Sequence, residues 1–268
     1  MTDVSDQKRV LAEQLFHDRI YSKGWEREDT CIHLDLVPQN MQMFFTVLAK
    51  SIGKWDDLSP LLVLDCGCGP GVLSVLLAQR GARMSACDVS IKALEIARML
   101  SKANNVQDLV NMQMMALEEL GYKDESYDLV VGSRILHHVN VGRAGREIDR
   151  VLKKSGKAIF WECTERNPLL KLMRIIKALL PCMPKLGTPY EHPLTRAEID
   201  ELQGIFRGRI KIYGAPFFFF SLFDKYIFRH RIPAISMICT KLDALVDKSI
   251  PYLRRFNFHQ ILVLSKAP

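Results

Sequence analysis

A short apolar run that ends in an acid and opens into alternating glycines is the most constraining feature of this chain. Residues 62–71 read Leu-Val-Leu-Asp-Cys-Gly-Cys-Gly-Pro-Gly. The apolar run predicts a buried strand, and the glycines predict a tight turn into a helix, because glycine readily takes positive φ. A turn of this kind, at the end of a strand, is where open α/β sheets bind nucleotide-like cofactors.

Strand and helix patterns continue to alternate after this turn. Candidate strands lie at 83–87, 109–115, 127–132, 158–162, 209–213 and 261–264, and candidate helices follow Ser90, Thr195 and, at 145–153, the fourth strand. Short alternating elements are typical of right-handed βαβ units. The sequence therefore predicts an α/β fold, with a Rossmann-like, seven-stranded, mostly parallel sheet that carries helices on both faces.

The glycine spacing and the acids narrow the choice of cofactor. Val72 stands where the dinucleotide pattern G-x-G-x-x-G needs its third glycine, and no Gly-Lys-Ser/Thr follows as a P-loop requires. Asp65 would repel a pyrophosphate but suits a cationic amino group. Asp88 ends the second strand, where a carboxylate can accept hydrogen bonds from both ribose hydroxyls.

Together with Leu-His-His-Val at 136–139, these features resemble the class I S-adenosylmethionine-dependent methyltransferases. The resemblance is closest to the group that includes the ubiquinone- and menaquinone-pathway enzymes and many small-molecule methyltransferases. It implies S-adenosyl-L-methionine as the methyl donor, S-adenosyl-L-homocysteine as its product, no metal, and a seventh strand inserted antiparallel. The cofactor positions that it implies are Asp65, Gly67, Gly69, Gly71, Asp88, Val89, Ala116, Leu117, Ser133 and Arg134.

One cofactor position departs from the family pattern. Met115 or Ala116 stands where the family usually has an acid that contacts the adenine amino group. A backbone carbonyl or the nearby Glu118 would have to replace that contact.

The resemblance also implies a catalytic pair. In some sugar O-methyltransferases of this type, the first histidine of the Leu-His-His-Val segment and an acid at the end of strand five act as a base and its partner. The matching residues are His137 and Glu162, and His138 lies next to the base. Histidine titrates near neutral pH, and a carboxylate can fix its tautomer. The alternative is structural, with one histidine packed against a helix and the other capping a loop.

Three segments are expected along the chain: a helical lid at 1–50, a cofactor-binding core at 51–162, and a remainder at 163–268 with substrate-cap insertions at 163–194 and 215–258. Apolar residues at helical spacing predict an amphipathic first helix, with Leu11, Leu15, Phe16 and Ile20 on its apolar face. The candidate substrate-contacting residues are Tyr21 and Trp25 in the lid and Phe217 and Phe220 in the cap. Core packing is the alternative for these aromatic residues.

Charge is unevenly distributed. Residues 163–268 carry 17 Lys+Arg against 8 Asp+Glu, whereas residues 1–162 carry 20 against 22. The basic charge of residues 163–268 is compatible with binding to a membrane surface, an anionic substrate or nucleic acid, or with a charged face exposed to water. The segment 168–180 has the pattern of a basic amphipathic helix of interfacial type, or of a cap helix with its cations in water. Residues from Ser133 onward lack the Asn/Asp-Pro-Pro-aromatic motif of base-flipping methyltransferases, which argues against a DNA substrate.

The remaining composition favours a cytoplasmic protein. The first residues lack the apolar region of a signal peptide, and no run of 18 apolar residues occurs. Seven scattered cysteines, an odd number, suggest reduced and buried thiols rather than disulfides.

The sequence therefore predicts a methyltransferase that acts on a small, hydrophobic acceptor in small-molecule biosynthesis, including secondary metabolism, with O- or N-methylation favoured and no nucleic-acid partner. Two alternatives stay open. One is a lipid or quinone methyltransferase in peripheral contact with a membrane. The other is a non-catalytic protein that binds the cofactor or a partner.

Overall fold

Seven strands form one sheet at the centre of the protein. Their bounds are β1 Leu62–Cys66, β2 Arg83–Asp88, β3 Val110–Met114, β4 Tyr127–Ser133, β5 Leu152–Cys163, β6 Ile210–Gly214 and β7 His259–Ser265. The spatial order is β3-β2-β1-β4-β5-β7-β6. The first five strands pair in parallel, and β7 runs antiparallel between β5 and β6. The predicted sheet, including its inserted antiparallel strand, is confirmed.

The computed structural model describes residues 4–22, 32, 39–167, 188, 190–215, 219–228 and 231–268. The α-helices in these ranges are α1 Val4–Ser22, α2 Gln39–Ile52, α3 Val72–Ala78, α4 Ile91–Ala103, α5 Val141–Val151, α6 Arg196–Ile205, α7 Phe220–Ile227 and α8 Pro233–Ser249. Short 3-10 turns occupy Gln107–Leu109, Leu136–His138 and Pro251–Phe256.

The sheet is buried on both faces, because successive strand side chains point to opposite sides. Val63 of β1 packs with residues of α2 and α3, whereas its neighbour Leu64 packs with residues of α5 and α6. Both side chains are fully buried. Near-continuous apolar strands are what a sheet covered on both faces requires.

Two predicted boundaries are wrong: the start of α5 and the start of β5, which follows it directly. Helix α5 begins four residues before the predicted segment 145–153, because the Asn140 side chain accepts a hydrogen bond from the Arg143 amide and caps the helix. Strand β5 then starts at Leu152 and runs through the predicted turn at 154–157. The chain thus passes from helix to strand without a separate loop.

The predicted apolar face of α1 does not pack on the core. Leu11, Leu15 and Ile20 are exposed, whereas Asp6 and Glu13 are buried. The surface under this helix is polar, so the helix contacts it through ion pairs. Helical spacing alone could not indicate which face would be buried.

Two helices within the insertion at 215–258, α7 and α8, pack on each other. Asp243 on α8 accepts hydrogen bonds from the amides of Phe219, Phe220 and Ser221, and so caps the start of α7. Phe220 is half-buried and stacks edge-on against Phe219. The substrate candidates Trp25 and Phe217 and the segment 168–180 lie outside the described residues.

Candidate functional site

The carboxyl ends of β1, β2, β4 and β5 meet at one edge of the sheet, where the strand order reverses between β1 and β4. In open α/β sheets, ligands bind outside this switch point. Most of the candidate site residues follow from this topology, because they lie at or just beyond these strand ends.

The glycine turn and Asp88 are joined by hydrogen bonds. The Gly69 amide donates to Asp88 Oδ2 and the Ser90 amide donates to Asp88 Oδ1, each at 2.8 Å. Burial raises the pKa of Asp88, although the two amides oppose that effect. Each carboxylate oxygen keeps a second lone pair for another donor. Asp88 is therefore fixed in orientation and still able to accept hydrogen bonds from a diol.

The middle glycine faces the first helix. Gly69 has φ of +51°, and a Cβ there would lie 3.1 Å from the Tyr21 hydroxyl of α1. By contrast, a Cβ on Gly71 would lie 2.8 Å from the Ala97 Cβ, so that glycine serves the contact between α3 and α4. Burial and the charge of Asp88 raise the pKa of Tyr21 to about 12. Tyr21 thus lies over the turn, next to Asp88, as an un-ionised hydroxyl at neutral pH.

Asp65 lies below the turn. It is 1% exposed, and its Oδ2 accepts a hydrogen bond of 2.6 Å from the Ser74 hydroxyl on α3. Burial raises the pKa of Asp65 to about 7, with Asp88 adding to the effect and Ser74 opposing it. A cation placed near this carboxylate would favour its charged form.

The remaining cofactor candidates line the same edge. The Met115 amide donates to the Asp88 carbonyl oxygen at 3.0 Å, which places Ala116 just beyond the end of β2. The Glu118 carboxylate, however, accepts hydrogen bonds from Arg9 and from the Asn140 amide. Its role in the structure is to hold α1, and its contact with adenine stays an untested prediction.

Arg134 follows β4 in a left-handed conformation, with φ of +57°. Its amide donates to the Trp161 carbonyl oxygen at 2.8 Å, and its guanidinium lies 5.8 Å from the centre of the Trp161 ring. A non-glycine residue in this conformation is strained, and such strain is common at functional sites. The unusual backbone turns the chain from Ser133 into the segment that carries the histidines.

His137 and Glu162 form a buried pair. His137 Nδ1 donates to Glu162 Oε2 at 2.8 Å, since an ionised carboxylate can only accept. The other oxygen of Glu162 accepts from the amides of Ile135 and Leu136, at 2.7 and 2.8 Å. Glu162 therefore fixes both the ring and the backbone turn that carries it. The structure brings together the two residues that the sequence paired.

The environment of His137 favours its charged form. Burial alone would lower the pKa of His137, but the hydrogen bond and charge of Glu162, with help from Glu191, raise it above 6.5. His137 Nε2 lies 3.9 Å from a carboxylate oxygen of Glu191. Nδ1 is thus held by Glu162, whereas Nε2 faces Glu191.

A second imidazole–carboxylate pair lies beside the first, and sequence reasoning missed it. His138 Nδ1 donates to Glu13 Oε2 on α1 at 3.0 Å, and the two histidine rings lie 4.2 Å apart. His17 Nε2 lies 3.6 Å from the same Glu13 oxygen. No local signal connects Glu13 to His138, because 125 residues separate them.

These side chains also place ligand-type atoms close together. Glu13, His17 and His138 form one set, and His137, His138 and Glu191 form another, with the relevant atoms of each set within 4.8 Å of one another. The Nδ1 atoms of His137 and His138 already donate to carboxylates. We interpret both sets as hydrogen-bonded imidazole–carboxylate clusters.

Comparison with known proteins adds sequence relatives. The family model described as "Methyltransferase domain" matches residues 64–160. A ubiquinone biosynthesis O-methyltransferase from Aeromonas salmonicida is 32% identical over 197 residues, which cover 73% of this chain and 80% of that protein. The enzyme of the same name from Bordetella avium is 34% identical over 140 residues, which span 51% of this chain and 57% of that protein.

Solved structures are similar in fold at low sequence identity. A putative sarcosine dimethylglycine methyltransferase from Galdieria sulphuraria aligns with a TM-score of 0.60 at 14% identity, over 94% of this chain and 98% of that one. The [4+2]-cyclase SpnF aligns with a TM-score of 0.58 at 18% identity, over 99% and 98% of the two chains. The fold is therefore common to proteins whose names give different activities.

Proposed function

Because this chain belongs to the class I S-adenosylmethionine-dependent methyltransferases, in the group of the ubiquinone biosynthesis O-methyltransferases, we propose that it methylates a hydroxyl of a phenolic quinone precursor. The observation that carries the choice of oxygen is the His137–Glu162 pair. A phenol is a far better nucleophile once it has lost its proton, and a histidine backed by a carboxylate is suited to take that proton. The hydrophobic acceptor expected from the sequence becomes, in this proposal, an aromatic ring with an apolar tail.

The residues at the strand ends fit the methyl donor. Asp88, held by two backbone amides, offers free lone pairs to a ribose diol, and Gly69 lacks the Cβ that would lie 3.1 Å from the Tyr21 hydroxyl. Asp65 offers a negative charge to a cationic amino group. When bound, S-adenosylmethionine supplies an electrophilic methyl group, because the sulfonium sulfur that carries the methyl is a good leaving group. Tyr21, from α1, would cover this region.

His137 would act on the acceptor in two ways. Its Nε2 accepts the hydroxyl proton, and its Nδ1–H stays bonded to Glu162, which stabilises the imidazolium that forms. Glu162 keeps the ring in one tautomer through the hydrogen bond from Nδ1, and two hydrogen bonds from the amides of Ile135 and Leu136 fix the carboxylate itself. Positioning of this kind converts an encounter between two molecules into a step within one complex.

The direct test uses the purified protein with methyl-labelled S-adenosylmethionine. We expect label to transfer to a catechol that carries an alkyl or prenyl chain, and mass spectrometry to place the methyl on oxygen. Monophenols without a neighbouring hydroxyl and primary amines of similar size serve as comparison acceptors. Transfer to the amine, with none to the catechol, would overturn the proposed acceptor chemistry.

The rate should depend on the ionisation of His137. Only neutral His137 can take a proton, and the pKa of this residue lies above 6.5, so kcat should rise with pH through that pKa and then level off. In Glu162→Gln the carboxylate charge is gone, so the rise should move to lower pH and the plateau should fall. The groups that face His137 are Glu162, Glu191, Arg134 and His138.

The pH profile has a matched control. His192 is an exposed histidine, and His192→Asn should leave the profile unchanged. A Glu162→Gln protein that melts at the wild-type temperature but keeps the wild-type profile would contradict the assignment of the titrating group to His137.

A second candidate property, peripheral membrane contact, is supported by α8. Its outward side carries a stripe of exposed apolar residues bordered by cations: Met237, Ile238, Leu242 and Leu245, with Lys241 and Lys248. Apolar residues that enter the headgroup region, next to lysines that meet anionic lipids, are typical of interfacial helices. Among the described residues, no helix is both long and apolar enough to cross a bilayer.

Sedimentation with vesicles tests this contact. We expect the protein to bind phosphatidylglycerol-containing vesicles at low salt, and Ile238→Ser/Leu245→Ser to weaken binding by about tenfold, as expected for losing apolar insertion of roughly 1–2 kcal/mol. The matched control is Leu11→Ser/Leu15→Ser, which removes an exposed apolar pair from α1. Equal loss in both variants, or no binding by the wild type, would argue against α8 as the contact surface.

A further inference from the structure

We propose that Glu13, on α1, is a positioning residue that completes the acceptor site by holding His138 beside His137. The inference rests on the proposed function and extends it, because it makes part of the acceptor site depend on the first helix. Glu13 is 4% exposed on the inner side of α1. Its Oε2 accepts from His138 Nδ1 at 3.0 Å, and its Oε1 accepts from the Thr188 hydroxyl.

Polar atoms of both histidines lie close together. A ring nitrogen of His137, a ring nitrogen of His138 and a carboxylate oxygen of Glu191 lie within 4.8 Å of one another. The two rings are 4.2 Å apart at their centres and tilted by 38°. An acceptor hydroxyl within reach of His137 Nε2 therefore lies within a few ångströms of His138 as well.

Separate parts of the chain orient the two rings. Glu162 orients His137 from the end of β5, inside the sheet, so this pair exists whenever the core is folded. Glu13 orients His138 from α1, so this second pair exists only when α1 lies against the core. The sheet thus builds half of the acceptor site and the first helix supplies the other half.

Glu13 is ionised throughout the neutral range. Burial alone would raise its pKa, but hydrogen bonds from His138, His17 and Thr188 outweigh burial and lower the pKa to about 2. An ionised carboxylate must accept from Nδ1, which leaves the lone pair of the His138 ring on Nε2. The carboxylate thereby selects the tautomer in which Nε2 can accept a hydrogen bond from an acceptor hydroxyl.

The same helix also fixes the backbone of His138. Arg9 Nη1 donates to the His138 carbonyl oxygen at 2.7 Å, and Arg9 Nη2 pairs with Glu118 at 2.5 Å. Nearby, Asp6 pairs with Arg143 at 2.6 Å. Asp6 touches neither histidine, but its other oxygen accepts from Arg9 at 3.1 Å. Asp6→Asn keeps an oxygen for Arg9 and weakens the pair with Arg143, so it measures the effect of looser anchoring of α1.

The experiment compares Glu13→Ala, Glu13→Gln and Asp6→Asn in the full chain. We expect Glu13→Ala to raise the acceptor KM about tenfold, the effect of one lost hydrogen bond to a charged group. Glu13→Gln keeps an oxygen that can accept from Nδ1, so its KM should stay within about threefold of wild type. Asp6→Asn should lower the melting temperature and raise KM less than Glu13→Ala does, because the Glu13–His138 pair is intact whenever α1 is docked. Calorimetry with S-adenosylhomocysteine should give wild-type affinity for all three.

Nitrogen-15 NMR of the histidine rings gives a readout that does not need turnover. Wild-type His138 should be protonated on Nδ1, and Glu13→Ala should shift it toward the mixture of tautomers seen for free histidine. If the wild-type protein is inactive but shows the expected His138 tautomer, the proposed function is rejected and the effect of Glu13 on His138 stands. An unchanged tautomer in Glu13→Ala, an unchanged KM, or a matching KM increase in Asp6→Asn would overturn the positioning role.

Discussion

Replacing His137 with alanine is expected to lower kcat by about 10²- to 10⁴-fold, the range typical of losing a positioned general base. The variant loses the ring whose Nδ1 is bonded to Glu162 and whose Nε2 faces Glu191. Donor binding should change little, because the described contacts of Asp88 and Gly69 do not include this ring. Stopped assays with labelled donor give kcat, and calorimetry with S-adenosylhomocysteine gives the affinity.

The change at His137 also leaves Glu162 buried with one partner fewer, which is destabilising. The measurement should therefore include His137→Gln, whose amide can still donate to Glu162 but cannot take a proton. Both variants are expected to be slow, and His192→Ala, which removes an exposed ring, is expected to be as fast as wild type. Wild-type turnover in a folded His137→Gln protein would show that His137 is not the general base.

Replacing Asp88 with alanine is expected to weaken binding of S-adenosylhomocysteine by at least about tenfold, because a carboxylate that accepts from two hydroxyls contributes charge-assisted hydrogen bonds. Both oxygens of Asp88 are already oriented by the amides of Gly69 and Ser90. Little conformational freedom remains to be lost when the ligand binds, which favours affinity.

The effect at Asp88 has to be separated from damage to the glycine turn. Asp88→Asn keeps one oxygen that can accept from a backbone amide, so it should disturb the turn less while still losing the charge. Asp57 provides the control. It accepts from the Ser59 amide in an exposed turn before β1, away from the carboxyl ends of the strands where Asp88 lies. We expect Asp57→Ala to bind S-adenosylhomocysteine with wild-type affinity. Wild-type affinity in Asp88→Asn and Asp88→Ala would show that the ribose lies elsewhere.

The sequence predicted that the glycine turn and Asp88 lie together at the strand ends, because that information is local. The acid and glycines of residues 65–71 are contiguous, and Asp88 ends the neighbouring strand, so topology alone brings them together. The pairing of His137 with Glu162 came from a family resemblance, and the hydrogen bonds to the Ile135 and Leu136 amides explain why the acid is needed there.

The contacts of the first helix could not be predicted in the same way. Glu13 reaches His138 across 125 positions, and Arg9 reaches Glu118 across 109. Such contacts depend on how a helix docks, and the apolar spacing of α1 indicated the wrong face. The helix docks through its charges because the core offers charges in return, which no pattern within the helix itself reveals.

The polar underside of α1 has a thermodynamic consequence. If α1 packed on the core through leucines, undocking would expose apolar surface, and the free-energy cost would grow with the exposed area. Undocking of this helix instead exposes charged groups to water and counterions, whereas Leu11 and Leu15 are already exposed in the docked state. The charges at this contact are largely buried, with the side chains of Arg9, Asp6 and Glu118 11%, 12% and 4% exposed, so salt screens them little. Removing one partner of a pair would leave the other charge buried and uncompensated, so the docking of α1 depends on each pair being complete.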